Sequence, residues 1–308
     1  MSKRVLIFGS NGLVGSSVNE IFLNTGYEIF ASTRSDTDLF NLDEVRALIY
    51  SFKPQVIINA AAKVGGILAN NTERSEFLIQ NLKINTNILE ACIPFPDIKI
   101  INLGSSCIYP LNAKNPIKET SFMDGKLEPT NSPYAMAKLT AIELGRSLNI
   151  QFGHKVINLM PTNLYGPRDN FDDTSSHVIP GLIKRMNDAT INGSKNFTIW
   201  GTGSPLREFL YVADLAEAIK FILENDIEID LINIGSGDEI SIHDLGETIK
   251  KVVNYKGQID FDKTKPDGNP RKLLDSTLIK SFGWTPKVSL EEGLIQTFDW
   301  FKENISKK

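Results

Sequence analysis

A tyrosine and a lysine four residues apart, Tyr134 and Lys138, have the spacing best suited to redox chemistry in this chain. They lie near the start of a long helical pattern, and positions i and i+4 share one face of a helix. A lysine ammonium close to a phenol favours the phenolate, so the spacing predicts a lowered pKa for Tyr134. Beside a hydride carrier, such a tyrosine can exchange a proton with a carbonyl or an alcohol. Taken alone, the pair is more simply explained as two surface residues.

A glycine-rich turn at the beginning of the chain supplies a place for the hydride carrier. Residues 5–8 form an apolar run of strand length, and Gly9, Gly12 and Gly15 follow it before an apolar-periodic helix over residues 13–24. The helix N-terminus offers free backbone N–H groups and a dipole that attract a pyrophosphate. The spacing is GxxGxxG rather than the common GxGxxG, so an ordinary glycine turn is the alternative. The order of strand, turn and helix favours dinucleotide binding.

The end of the second predicted strand distinguishes the two nicotinamide cofactors. An acidic residue there would bind a free ribose 2′-hydroxyl, whereas a basic residue suits a 2′-phosphate. The sequence reads Ser32-Thr33-Arg34, and Arg34 therefore favours NADP(H). Asp36 and Asp38 follow closely, and either is a ribose ligand if the loop turns differently. In that case Arg34 is a solvated loop residue.

The composition indicates a soluble globular protein. The hydrophobic residues make up 41% of the chain and the charged residues 23%. The length of 308 residues exceeds that of one ordinary domain and allows a substantial core. We expect a cytoplasmic protein without a membrane partner, since no apolar run reaches membrane-spanning length and residues 1–4 lead directly into the first strand. Two cysteines, Cys92 and Cys107, fit a reducing compartment. A net charge of −4 argues against nucleic acid as a partner. We predict no metal site.

Strand-like runs and helical patterns alternate through the first half of the chain. The predicted strands are residues 5–8, 27–32, 56–60, 98–103 and 156–160. The predicted helices are residues 13–24, 43–51, 73–91 and 133–152. Alternation of this kind predicts an α/β fold with a doubly wound parallel sheet of the Rossmann type.

The order changes after Pro161. We predict a loop over residues 162–176, a helix over 178–186, a return to the sheet at 231–234, and short strands outside it at 198–200 and 258–261. The resulting prediction is a cofactor domain over residues 1–165, joined by about 208–236. A smaller interwoven substrate lobe is expected from residues 166–207 and 237–308.

Longer strings resemble the GDP-L-fucose synthase family of the extended short-chain dehydrogenase/reductase superfamily, and they are dispersed over most of the chain. Three of the six strings are continuous and cover residues 103–110, 160–167 and 176–180. The other three have two parts each, which are 60–67 and 70–71, 200–203 and 207–209, and 265–268 and 270–275. The glycine turn and the Tyr134–Lys138 pair agree with the superfamily. The resemblance implies a Rossmann fold and NADPH-dependent conversion of GDP-4-keto-6-deoxy-D-mannose to GDP-L-fucose. The implied order is epimerisation at C3 and C5, then reduction of the C4 ketone.

The resemblance also implies a role for each reactive residue. Tyr134 would donate the proton to O4, and Lys138 would hold the nicotinamide ribose. Ser105 and Cys107 follow the fourth strand, where residues i and i+2 of an extended segment point the same way. Ser105 would then hydrogen-bond the keto oxygen. Cys107 as base and His177 as acid would exchange the protons at C3 and C5.

Simpler roles remain for the cysteines and histidines. A free cysteine is commonly a small buried residue, which is our expectation for Cys92 and the alternative for Cys107. A histidine just before a helix, as at His177, is often a cap or a surface residue. His154 and His243 are expected to be structural or solvated.

By resemblance, the cofactor residues are Gly9, Ser10, Asn11, Gly12, Leu13, Val14, Gly15, Arg34, Leu103, Gly104, Lys138, Pro161, Thr162, Asn163, Leu164 and His177. The GDP-sugar residues are Arg185, Trp200, Arg207 and Asp275. Arginines suit a diphosphate, an indole packs on a flat ligand, and a carboxylate accepts from hydroxyl or base N–H groups. Each of the four also fits surface or core packing. The turn departs from the family at Ser10-Asn11, where a basic residue is common.

Two other functions remain open at this point. The first is C4-keto reduction of a related GDP-sugar, such as a GDP-4-keto-heptose, with little or no epimerase activity. The second is a nucleotide-binding protein without turnover, which the intact set of reactive residues disfavours. The helices predicted over residues 73–91 and 133–152 match those that pair in homodimers of the superfamily.

Overall fold

The structure is a computed structural model that describes residues 3–23, 25–265 and 267–306. Residues 1–2 and 307–308, which the sequence analysis included at the ends of its ranges, lie outside the described residues, as do two internal positions. The internal positions are Asn24, where the first helix was expected to end, and Pro266, which belongs to the last of the resembling strings.

Helices and strands alternate along most of the chain. The helices are α1 (Leu13–Phe22), α2 (Leu42–Phe52), α3 (Ile67–Thr72), α4 (Arg74–Cys92), α5 (Ser132–Phe152), α6 (Val178–Ile191), α7 (Val212–Glu224), α8 (Ile242–Val252), α9 (Thr277–Ser281) and α10 (Leu290–Asn304). The strands are β1 (Arg4–Phe8), β2 (Glu28–Ser32), β3 (Val56–Asn59), β4 (Lys99–Leu103), β5 (Lys155–Pro161), β6 (Asn163–Tyr165), β7 (Asn196–Trp200), β8 (Leu206–Tyr211), β9 (Leu231–Ile234), β10 (Glu239–Ser241), β11 (Gln258–Asp262) and β12 (Arg271–Lys272). Two 3₁₀ turns cover Ser106–Ile108 and Glu119–Ser121.

A parallel sheet forms the centre of the molecule. Within the described residues it has six strands in the order β2-β1-β3-β4-β5-β9, and every neighbouring pair is parallel. The inner strands are apolar and buried along their length because helices cover both faces. This arrangement confirms the predicted doubly wound Rossmann-type fold, including the return of β9 to the sheet. Ligands bind such sheets at the carboxyl ends of the strands.

The second half adds a smaller lobe with its own core. A sheet in the order β10-β8-β12 also pairs β8 with β6, and β7 pairs with β11 in a separate ribbon. The ribbon confirms the two short strands predicted outside the main sheet. The loop predicted over residues 162–176 is wrong at its start, because Asn163–Tyr165 forms β6. Three residues are too few to show alternation, and their partner β8 lies far along the chain.

A row of buried asparagines crosses the central sheet. The Asn59 amide donates to Asn102 Oδ1 at 3.0 Å, and the Asn102 amide donates to Asn158 Oδ1 at 2.9 Å. At its α4 side, Asn59 also donates to Asn85 Oδ1 at 3.0 Å. These amides satisfy one another in an otherwise apolar layer, so they define the relative positions of β3, β4 and β5.

The described residues contain no helix with the length and apolar character that crossing a membrane requires.

Candidate active site

The glycine turn between β1 and α1 brings two backbone segments into close approach. Gly9 has a φ of +76°, and a Cβ there would lie 2.7 Å from Ala61 Cα. A Cβ on Gly15 would lie 2.2 Å from the Gly9 carbonyl oxygen. Gly12 precedes α1 and has no side chain to occupy the first backbone N–H groups of the helix. The turn therefore fits a pyrophosphate, which those N–H groups would bind.

Two carboxylates that follow β2 accept hydrogen bonds from residues of their own loop. Asp36 Oδ2 accepts from the Thr33 N–H at 2.8 Å and from its hydroxyl at 2.6 Å, which holds the pKa of Asp36 below its usual value. Asp38 Oδ1 accepts from the Phe40 N–H at 2.9 Å. Arg34 is exposed beside them. The geometry favours Arg34 over either aspartate as the cofactor contact, and its role stays a prediction.

Lys138 is buried, and its ammonium bonds to a backbone carbonyl. Lys138 is 2% exposed, and its Nζ donates to the Leu103 carbonyl at 2.6 Å. The same Nζ is 5.8 Å from the centre of the Tyr134 ring. Burial lowers the pKa of Lys138 to about 8, although the charge of Cys107 acts in the opposite direction. Lys138 thus connects the end of β4 to α5.

The predicted lowering of the Tyr134 pKa is wrong for this structure. Burial raises the pKa of the phenol above its usual value, and the negative charge of Cys107 acts in the same direction. The Ser105 hydroxyl beside the phenol opposes them by favouring the phenolate. Desolvation is the largest cause, and the ammonium of Lys138 donates to the Leu103 carbonyl.

Ser105 and Cys107 lie together, although the segment is not extended as predicted. Ser105 has extended backbone angles, and the chain then enters the 3₁₀ turn Ser106–Ile108. The Ser105 hydroxyl donates to Cys107 Sγ at 3.1 Å and accepts from the Cys107 N–H at 3.2 Å. The turn, not strand alternation, therefore brings the hydroxyl and the thiol into contact. Cys92 is fully buried, which confirms the prediction of a core residue, and burial raises its pKa to about 12.

His177 occupies the N-cap position of α6. The residue is exposed by its accessible surface, although part of its imidazole is shielded from water. The enclosure lowers the pKa of His177, while the adjacent backbone of Gly65 favours the protonated form. The Gly66 N–H donates to the Ser175 carbonyl at 2.9 Å, so the segment after β3 packs against the approach to α6.

The other two histidines agree with their predicted structural or solvated roles. His154 is buried just before β5. His243 is exposed near the start of α8, stacks on Phe261 at 5.5 Å between ring centres, and lies 3.0 Å from an Asp244 oxygen.

Aromatic and charged side chains that the sequence analysis did not single out connect Tyr134 to the Gly65 segment. The Phe77 ring meets the Tyr134 ring edge to face at 6.3 Å between centres. A Cβ on Gly65 would lie 3.2 Å from Phe77, and Lys63 Nζ is 5.0 Å from the Phe77 ring centre. Lys63 also pairs with Glu73 at 2.7 Å. Lys63 lies inside one of the resembling strings, which was the available signal.

Residues predicted to line the nicotinamide side follow β4 and β5. A Cβ on Gly104 would lie 2.0 Å from Met160 Cε, so only glycine fits there without a shift of that side chain. The Thr162 hydroxyl and the Asn163 amide both donate to the Glu208 carbonyl, at 3.2 Å and 2.8 Å. This segment is thereby held against β8.

Three of the four predicted substrate residues lie around β7 and β8. Trp200, at the end of β7, is 61% exposed, and the Arg185 guanidinium lies 5.5 Å from the Phe197 ring of the same strand. Arg207 Nη2 donates to the Asp267 carbonyl at 3.5 Å. These three residues belong to the lobe around β7 and β8.

Asp275 follows β12, the strand that pairs with β8 at Arg207. Its N–H donates to the Ile117 carbonyl at 2.8 Å, and its Oδ1 accepts from the Thr277 N–H at 3.0 Å. The Thr277 hydrogen bonds hold the pKa of Asp275 below its usual value, with Lys118 and Lys280 acting in the same direction. The carboxylate is therefore ionised near neutral pH.

The geometry agrees with comparisons to known proteins. The NAD dependent epimerase/dehydratase family matches residues 5–235. The chain belongs to this family. Its sequence is 46% identical over 305 residues to GDP-L-fucose synthase 1 of Arabidopsis thaliana, covering 99% of this chain and 94% of that protein. The resemblance found in the sequence is thus confirmed at the level of the family.

Two solved structures are similar over nearly the whole length. A GDP-L-fucose synthetase from Naegleria fowleri bound to NADP has a TM-score of 0.90 and 29% identity, covering 99% of this chain and 95% of that one. A GDP-D-glycero-L-gluco-heptose synthase from Campylobacter jejuni, solved in the presence of NADPH, has a TM-score of 0.90 and 28% identity, covering 98% of both chains. The family fold extends through the smaller lobe.

Within the described part of this family member, no three His, Cys, Asp or Glu side chains are grouped to hold a metal ion.

Proposed function

We propose that this chain is an NADPH-dependent epimerase/reductase that converts GDP-4-keto-6-deoxy-D-mannose to GDP-L-fucose. The observation that carries the proposal is the joint placement of Ser105, Cys107, Tyr134 and Lys138 at the carboxyl end of β4 and the start of α5. Identity of 46% to the Arabidopsis thaliana GDP-L-fucose synthase 1 supports the GDP-sugar as substrate.

NADPH would be held by the glycine turn, by Arg34 at its 2′-phosphate, by Leu103 and Gly104 after β4, and by the segment 161–164. When bound, it supplies the hydride for C4. Lys138 would hold the nicotinamide ribose. Its hydrogen bond to the Leu103 carbonyl holds the ammonium at the end of β4, where this ribose is expected.

Tyr134 supplies the proton that reduction requires. The raised pKa keeps the phenol protonated near neutral pH, which suits a donor to the keto oxygen. Ser105 lies next to Tyr134, and its hydroxyl would turn from Cys107 Sγ to hydrogen-bond the same oxygen as negative charge develops on it. Burial therefore keeps Tyr134 in the form that can donate a proton.

Epimerisation requires a base and an acid on the two sides of the sugar. The 4-keto group acidifies C3 and C5, and Cys107 would remove these protons while His177 returns them. The lowered pKa of His177 makes the neutral imidazole dominant near pH 7, so proton return by His177 is favoured as the pH falls. Arg185, Trp200, Arg207 and Asp275 would bind the GDP portion.

Solvent deuterium exchange tests the two half-reactions separately. The protein is incubated with GDP-4-keto-6-deoxymannose in deuterated water, with and without NADPH, and the product is identified by mass and stereochemistry. We expect deuterium at C3 and C5 and an L-galacto product. Cys107→Ser should nearly abolish exchange, because an alcohol is a far weaker base than a thiol near neutral pH, and reduction of the unepimerised ketone should persist. Reduction by the wild-type protein without any exchange would refute the epimerase half.

A second candidate is C4 reduction of a GDP-4-keto-heptose. The Campylobacter jejuni heptose synthase, with a TM-score of 0.90, favours it. NADPH oxidation with a panel of GDP-4-keto sugars separates the candidates by relative kcat/KM. Cofactor binding without turnover on any sugar would support a nucleotide-binding protein.

We also propose a cytoplasmic homodimer formed through α4 and α5. These helices pack on each other and carry exposed apolar side chains, with Ile79 51% and Met136 48% accessible. Light scattering should give twice the mass of the chain for the wild type, and Met136→Lys should shift the protein toward monomer. Ile150→Lys, at the exposed end of α5, should not.

We propose that two domains bind the two ligands. The first comprises residues 1–165 and 208–236, and the second comprises residues 166–207 and 237–308. In this division the first set binds NADPH and the second binds the GDP-sugar. Protection from hydrogen exchange by NADPH alone and by GDP alone should map to the two sets separately.

A further inference from the structure

Glu208 is a fully buried carboxylate in β8, next to Arg207. Its Oε1 accepts from the Gly237 N–H at 2.8 Å, and its Oε2 accepts from the Leu274 N–H at 3.1 Å. The first partner lies in the turn after β9, and the second immediately precedes Asp275. One side chain therefore joins two segments that are distant in the sequence.

The backbone carbonyl of Glu208 makes a different connection. It accepts from the Thr162 hydroxyl at 3.2 Å and from the Asn163 amide at 2.8 Å. Those two residues belong to the segment assigned to the cofactor. Side-chain and main-chain bonds of Glu208 thus serve opposite sides of the site.

Both partners of the carboxylate are N–H donors, which requires two acceptor oxygens. A glutamine has one acceptor oxygen and one NH₂ group, so it would leave one buried N–H facing another donor. The packing is close as well, since a Cβ on Gly235 would lie 2.3 Å from Oε1. Burial raises the pKa of Glu208, whereas the two N–H groups, the Thr162 hydroxyl and the Lys280 ammonium favour its ionised form.

We propose that Glu208 is a positioning residue for the GDP-sugar: its carboxylate holds segment 273–275 so that Asp275 faces the nucleotide, while its carbonyl accepts the two hydrogen bonds of the cofactor segment. The inference rests on the proposed function, which assigns Asp275 to the substrate. Its distinctive consequence is that changing the side chain affects only one of the two ligands.

The test compares GDP and NADPH binding in the full chain by titration calorimetry. In Glu208→Gln, the Kd for GDP should rise about tenfold, because one charge-assisted hydrogen bond is lost and Asp275 is released. The Kd for NADPH should stay within about twofold, since the carbonyl bonds remain. In turnover, KM for the GDP-sugar should rise while kcat stays near wild type. Glu239→Gln, at the register partner on β10 where the carboxylate pairs with Arg271, is the matched control and should change neither Kd.

Hydrogen exchange gives a readout that does not depend on turnover. In Glu208→Gln, peptides spanning 235–237 and 273–275 should exchange faster, with 161–164 unchanged. Glu208→Asp keeps the charge but is one methylene too short to reach both N–H groups. If the glutamine variant does not fold, Glu208→Asp should show the same faster exchange at 235–237 and 273–275 and the same unchanged exchange at 161–164.

Three outcomes would overturn the inference. They are an unchanged Kd for GDP in a protein that binds GDP, a parallel loss of affinity for both ligands, and unchanged exchange at 273–275. Failure of the wild-type protein to bind GDP would instead refute the proposed function. The difference in hydrogen exchange between peptides 273–275 and 161–164 would then test the role of Glu208 by itself.

Discussion

At the scale of single residues, desolvation controls the chemistry of the tyrosine and lysine pair. Spacing alone predicts that Lys138 lowers the pKa of Tyr134, but both groups are enclosed and each neutral form is favoured. A protonated phenol is the form that a ketone reductase uses as a donor. The protonated phenol therefore suits the role of proton donor that we propose for Tyr134.

Replacement of Tyr134 by phenylalanine should remove reduction and leave cofactor binding intact. Only the hydroxyl is lost, and the ring contact with Phe77 is preserved. We expect kcat to fall by roughly a hundredfold or more, the scale of general acid catalysis, with the Kd for NADPH nearly unchanged. Stopped-flow NADPH oxidation and fluorescence titration measure the two quantities. Near-wild-type reduction would show that another group donates the proton.

The rate of reduction should depend on pH through Lys138. Its pKa is lowered to about 8, so the ammonium is present below that pH and is lost as the pH rises through it. Reduction should therefore decline above about pH 8, while Tyr134 stays protonated over the same range. The pH profile of kcat for reduction, with substrate already epimerised, checks this. A rate that is flat between pH 7 and pH 10 would contradict it.

At the scale of elements, the connections at the carboxyl ends of the strands form the site. The glycine turn after β1, the 3₁₀ turn after β4 and the first turn of α5 each contribute groups that no single element holds. The tip of β2 shows the same principle, because Asp36 and Asp38 close their own turns and Arg34 stays exposed. We therefore expect that turn to set the cofactor preference.

Arg34→Ala should reduce the preference for NADPH over NADH. One charge-assisted contact to the 2′-phosphate is worth about 1.5–3 kcal/mol, or roughly tenfold to a hundredfold in affinity. The affinity for NADH should change little, since it lacks that phosphate. Titration with both cofactors measures the ratio, and Arg46→Ala on α2, where the side chain pairs with Glu90, is the control. An unchanged ratio would assign the phosphate to other lysines or arginines.

At the scale of the whole molecule, buried amides hold the sheet on which the site is built. Asn102 stands between Asn59 and Asn158 and bonds to both. Its replacement by leucine leaves an amide and a carbonyl without their partner in a layer that excludes water. The free energy of unfolding should fall by roughly 2–4 kcal/mol, measured by urea titration. Asn304→Leu at the exposed end of α10 should change it little, and equal stability of the two variants would contradict the role of the row.

Periodic and local features of the sequence were sufficient to predict the parallel sheet and much of the proposed site. Buried strands and amphipathic helices repeat over long stretches, and such periodicity survives in any tertiary context. The glycine turn and the Tyr134–Lys138 spacing depend on residues close in the chain, so their geometry could be inferred locally. The proposed roles of Cys107 and His177 came from the resemblance and still await experiment.

Features that depend on distant segments were settled by the tertiary structure alone. Burial set the direction of the Tyr134 pKa, and a 3₁₀ turn replaced the extended segment at Ser105 and Cys107. Strand β6 was missed because three residues become a strand only when β8 pairs with them. Glu208 lies inside one of the resembling strings, but its partners could not be inferred, since Gly237 and Leu274 meet it only after the lobe has closed around β8. Hydrogen bonds and desolvation between remote residues leave no periodic trace in a single sequence, which is the physical reason for the difference.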